Sequence, residues 1–77
     1  MKPVAAGVDA AGRNEDVEAL RASSESDLPG SALNPYLLDA PTSPQIAARI
    51  AGQTLDWPPI EQAYRYLCDA TDIVLVE

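Results

Sequence analysis

Apolar residues come along this chain in short blocks separated by polar turns. Val4-Ala5-Ala6-Gly7-Val8, bounded by Lys2-Pro3 and Asp9, is brief and contains glycine, which predicts a buried strand and not a helix. Asp9 to Arg13 is small and polar, a loop leading to Asn14. Asn14 is placed to cap a helix reaching Ser23, with Glu15, Asp16 and Glu18 in its first turn, where acids complement the helix dipole. The stripe of that helix is only Val17, Leu20 and alanines, so it needs cover from elsewhere. Ser23 to Ser31 reads as loop, with Pro29-Gly30 at the centre of a type II turn. Asn34-Pro35 and Pro41 to Pro44 punctuate the next segment and leave Tyr36-Leu37-Leu38 as an extended or single-turn piece.

The second half carries the clearest helix signature: Ser43 as cap, Pro44 at the first position, Ile46, Ala47 and Ile50 on one stripe, and Gly52 as stop. A third helix starts at Asp56. Pro58 and Pro59 fall in its first turn, where the N–H groups have no helical partner, and Ile60, Ala63, Tyr64 and Leu67 follow at helical spacing. Tyr64 is expected in the core, Tyr66 on the surface, and Trp57 as a packing anchor. Arg49 and Arg65 sit mid-helix, the ordinary place for surface pairing. Ile73-Val74-Leu75-Val76, four large aliphatics followed by Glu77, predicts a strand buried on both faces, the habit of parallel sheets. Strand, helices, strand spells an α/β fold, part of a doubly wound parallel sheet with a right-handed crossover. Two such strands cannot cover their own faces and edges, so residues 1–77 are expected to be a partial domain, from a larger protein or a truncated reading frame.

Composition narrows the chemistry. Of 77 residues 47% are hydrophobic, yet 13 are Ala, only 17 are Val, Ile or Leu, and Phe is absent. A chain this short buries only about 60% of its unfolded surface, so the core is thin. Twelve acids against five bases give a net charge of −7, which repels phosphate backbones and anionic membranes, so neither nucleic acid nor membrane is an expected partner. No His and a single Cys exclude His-dependent triads, Cys/His zinc sites and an internal disulfide, and fit a reducing, cytoplasmic setting. No apolar run approaches the ~18 residues of a membrane span, and the amino end lacks a signal-peptide core. Lys2 is the only lysine and has no glycines before it, so a GxxxxGK[ST] phosphate loop is not encoded in these residues.

Ligands bind such sheets at the carboxyl ends of the strands, which makes Glu77, just after the aliphatic run, a candidate for holding Mg²⁺ near a phosphate. An acid that merely solubilises a chain end is the plainer reading. Asp16 serves the helix dipole on the plain reading, and Lys2 is a solvated surface lysine.

Four stretches in this order resemble dethiobiotin synthetases, ATP-dependent enzymes of biotin synthesis: Lys2-Pro3-Val4-Ala5-Ala6-Gly7, Asn14-Glu15-Asp16-Val17-Glu18-Ala19-Leu20, Asn34-Pro35-Tyr36 with Pro41-Thr42-Ser43-Pro44, and Asp72-Ile73-Val74-Leu75-Val76-Glu77. The resemblance covers nearly the whole chain. It implies a P-loop NTPase-like α/β domain and a ligase that carboxylates diaminononanoate with CO2, phosphorylates the carbamate with ATP and closes the cyclic urea. Lys2 then matches a lysine facing the carbamate, where a fixed cation stabilises developing negative charge. Asp16 matches an acid of the nucleotide and metal site, and Glu77 the Mg²⁺-binding acid before a glycine-rich turn. The resemblance also implies a cytoplasmic protein and a homodimer for the full-length family. The family's phosphate loop and its carboxyl-terminal half are not among these residues, so the isolated chain is expected to be inactive. Ala6 stands where many relatives have Ser, and Gln45 where His is common.

Two other readings stay open. A small acidic carrier or protein-binding module fits the size and charge, but Ser26-Asp27-Leu28 reverses the Asp-Ser-Leu that a carrier needs for its prosthetic arm. The other is a structural or regulatory remnant with no ligand.

Overall fold

The computed structural model describes residues 1–24 and 28–77. In chain order it contains β1 (Val4–Ala6), α1 (Glu15–Ser23), α2 (Gly30–Leu33), β2 (Tyr36–Leu38), α3 (Pro44–Ala51) and α4 (Trp57–Ala70). The α/β expectation holds. β1 and β2 pair in parallel, with Val4 opposite Tyr36, Ala5 opposite Leu37 and Ala6 opposite Leu38. Lys2 N–H donating to Leu33 O and Gly7 N–H donating to Leu38 O extend the pairing past both ends of β1. Gly7 then turns the chain at φ +98, a left-handed conformation that ends the strand two residues before the expected Val8.

α3 covers one face of this sheet, and a second apolar cluster forms beside it. Val4 and Ala6 point to one side, where Leu38 meets Ala47 and Ala48 of α3. Met1, Leu33 and Ala32 join Ala63 and Leu67 of α4 in a second cluster, with Leu20 and Ile60 against it. Asn14 caps α1 as the sequence implies, its Oδ1 accepting from Val17 N–H at 3.0 Å. Gly52 ends α3 at φ +67.

Several expectations change. Pro29-Gly30 is not a type II turn: Gly30 has no positive φ and opens α2, because Ala32 and Leu33 gain burial against α4 when that turn is helical. Tyr36-Leu37-Leu38 becomes a strand once β1 offers an edge. α3 is rotated relative to its expected stripe: Ala47 and Ala48 face the sheet, while Ile46 and Ile50 are 47% and 68% exposed. Small alanines permit a close helix-to-sheet approach that the isoleucines would block. Tyr64 lies on the flank of the Ile60, Ala63 and Leu67 stripe and is exposed, as is Trp57, which anchors nothing. Ser43 and Asp56 precede their helices without side-chain caps.

The largest correction concerns residues 73–76, which form no strand and are not buried. Ile73 and Leu75 are 79% and 80% exposed, and only Val74 packs inward. They are nonetheless laid beside the sheet, since Met1 N donates to Leu75 O at 2.6 Å and Glu77 N–H donates to Met1 O at 2.8 Å. That is the parallel pattern on the edge of β1 opposite β2, at one residue only. Among the described residues, nothing packs over their outer faces. Ser26 and Asp27, on which the comparison with carriers turns, lie outside the described residues.

Candidate functional site

Lys2, Asp16 and Glu77 reach the same place from three parts of the chain. Lys2 precedes β1, with its main chain bound to Leu33 O and its carbonyl accepting from Asn34 Nδ2. Asp16 is the second residue of α1, and the start of that helix is fixed on the sheet by Asn14. The Asn14 Nδ2 donates to Gly7 O at 2.7 Å and Ala6 O at 3.3 Å while its Oδ1 caps the helix. Glu77 is brought in by its N–H bond to Met1 O.

The geometry that results is an ammonium between two carboxylates. Lys2 Nζ donates to Asp16 Oδ2 at 2.9 Å and lies 3.6 Å from Glu77 Oε1. The lysine side chain is 18% exposed, whereas the acids are 65% and 64% exposed. The cation is enclosed and the carboxylate oxygens are open to a ligand. The hydrogen bond to Asp16 is the main cause that raises the Lys2 pKa above its ordinary value; partial desolvation opposes it, and the charges of Asp16 and Glu77 add to it. Lys2 is therefore a fixed positive charge at neutral pH.

Asp16 also borders an open cleft of about 680 Å³, formed by Gly7 to Asp9, Arg13, Asn14 and the acids of the first turn of α1. Its rim is folded by Asp9, whose Oδ1 accepts from Ala11 N–H at 2.9 Å and Arg13 N–H at 3.0 Å. Those two bonds, Arg13 first, hold the Asp9 carboxyl below the usual carboxylate range. Among the described residues no group of three or more His, Cys, Asp or Glu side chains converges as a ready metal cage. Two hard carboxylate donors do converge at Lys2, and Mg²⁺ commonly takes no more than that from protein, completing its shell with phosphate and water.

The two asparagines that hold this site were not evident as site residues. Asn14 was legible as a cap, but its grip on the Ala6 and Gly7 carbonyls required the fold. Asn34 read as part of a turn, although an Asn beside a proline next to a strand was the available signal.

The sequence profile of an AAA domain family matches residues 1–77, the whole chain. The chain belongs to this AAA domain family. Its P-loop NTPase-like α/β fold agrees with the parallel sheet and flanking helices above. Three relatives carry the name ATP-dependent dethiobiotin synthetase BioD. The chain is 49% identical over 80 residues to that of Ralstonia nicotianae, 44% to that of Xanthomonas oryzae pv. oryzae and 42% to that of Xanthomonas euvesicatoria pv. vesicatoria. Each alignment covers 100% of this chain and 35%, 36% and 36% of the respective relative, so the chain spans about a third of their length.

Proposed function

We propose that residues 1–77 are a partial domain of an ATP- and Mg²⁺-dependent ligase that carboxylates diaminononanoate and closes it to dethiobiotin. The observation that carries this reading is the approach of Asp16 and Glu77 to one enclosed ammonium, Lys2 Nζ, at 2.9 and 3.6 Å. The names of the aligned relatives give the reaction class. Lys2 faces the carbamate and offsets the charge that develops on its oxygens as phosphoryl transfer proceeds. Asp16 and Glu77 would hold Mg²⁺, which when bound supplies neutralisation of ATP phosphate oxygens. The exposure of both acids, and the open cleft that Asp16 borders, support that assignment. A cytoplasmic homodimer is the setting that goes with this reading. The isolated chain supplies only part of the site and is expected to be inactive.

The test is a graft in which residues 1–77 replace the aligned segment of the Ralstonia nicotianae synthetase. The folded graft is expected to form dethiobiotin from diaminononanoate, CO2 and ATP, and Lys2→Met in the graft to lower kcat by about 100-fold or more. A folded graft with no activity, a Lys2→Met graft as active as its parent, or dethiobiotin formed by the 77-residue chain alone would each overturn the reading.

A further inference from the structure

The register of the sheet leaves the Lys2 carbonyl outside the regular ladder. Val4 lies opposite Tyr36, and the Tyr36 N–H donates to Pro3 O at 3.1 Å, so the main-chain donor that β2 offers at this end goes to the residue after Lys2. Lys2 N–H itself donates to Leu33 O at 2.8 Å, at the end of α2. The Asn34 side chain supplies the missing donor: its Nδ2 donates to Lys2 O at 2.8 Å and to Tyr36 O at 2.9 Å. Asn34 is only 8% exposed, and its own backbone N–H is already committed to Gly30 O at the end of α2. Both carboxamide protons are thus spent on two main-chain carbonyls that flank the start of the sheet.

We propose that Asn34 is a positioning residue for Lys2, its carboxamide giving the Lys2 carbonyl the donor that the β2 main chain spends on Pro3, so that the Lys2 ammonium is delivered between Asp16 and Glu77. This inference rests on the reading of Lys2 as the catalytic cation. Lysine carries its charge on a flexible four-carbon stem, so the head is placed only when the main chain beneath it is fixed. The bonds to Leu33 O and from Asn34 Nδ2 fix Lys2 on both its polar main-chain atoms.

The experiment uses the fact that Lys2 is the only lysine. In the 77-residue chain labelled on lysine and held at neutral pH, nuclear Overhauser contacts from the Lys2 ε-methylene to Asp16 and Glu77 report where the head lies. They are expected in the native chain and lost in Asn34→Ala. They are also expected to be lost in Asn34→Asp, which keeps the shape but aims a carboxylate at two carbonyls. A through-hydrogen-bond coupling between Asn34 Nδ2 and the Lys2 carbonyl carbon, expected in the unaltered chain, decides the matter if the variants do not fold. Unchanged Lys2 contacts in a folded Asn34 variant, or absence of that coupling, overturns the proposal. In the graft, Asn34→Asp is expected to lower kcat about 10- to 100-fold with KM for ATP changed by less than about twofold; an unchanged kcat overturns it. The contacts are read without turnover, so an inactive graft with Asn34 intact removes the catalytic reading of Lys2 while leaving the positioning of its head to the spectra.

Discussion

Lys2 is enclosed while its partners are not, and this asymmetry gives the residue a distinct pH signature. Its pKa is raised above 10.5, chiefly by the hydrogen bond to Asp16. A group whose folded pKa exceeds its unfolded one contributes its full stabilisation below the unfolded value and loses it as pH rises through the folded value. The unaltered chain is therefore expected to lose melting temperature above about pH 10.5 more steeply than Lys2→Met, as followed by circular dichroism across the alkaline range. The effect is small, because Asp16 and Glu77 are open to solvent and such pairs contribute about 0–1 kcal/mol. Asp9 has the opposite sign: its lowered pKa contributes above its unfolded value and is lost on acidification. At this scale Asn14 shows how far sequence reaches. Its capping role stems from a polar residue before an acidic first turn, whereas its two bonds to β1 depend on where that strand ends.

Among the elements, α3 separates what periodicity shows from what packing selects. The limits of the helix are set by Pro44 and Gly52, and both are observed. Its orientation is not set by them, because the strands beneath it offer Val4, Ala6 and Leu38, a surface that small alanines approach more closely than branched side chains. Two substitutions on this one helix should therefore differ. Ile50→Gln, at 68% exposure, is expected to change unfolding free energy by less than about 0.5 kcal/mol. Ala47→Leu, at 1% exposure, is expected to cost about 1–3 kcal/mol by overpacking. Urea denaturation of both variants beside the parent reads the difference. The short α2 was hidden for a related reason: four residues carry little propensity of their own, and their helical turn is drawn in by burial of Ala32 and Leu33 on α4.

Across the molecule, the sheet is two paired strands with a third stretch laid along the free edge of β1, and that third stretch leaves most of its apolar surface uncovered. Ile73 and Leu75 are about four-fifths exposed, and an exposed aliphatic edge is a template for self-association. Replacing both by Lys is expected to reduce association with concentration, measured by sedimentation velocity, without lowering the melting temperature; a lower melting temperature would show that these side chains are part of the core. The parallel α/β class and the positions of α1, α3 and α4 were legible in the sequence, because caps, prolines, glycines and apolar blocks act locally; Glu77 was a candidate from its place after an apolar block, and Lys2 and Asp16 only through the family resemblance. Which face of α3 is inward, whether residues 73–76 are covered, and the meeting of Lys2 with two acids were decided by the tertiary structure alone. Each of these depends on contacts between residues far apart in the chain, such as the bonds from Asn14 to Gly7 O and from Asn34 to Lys2 O, which local sequence does not specify.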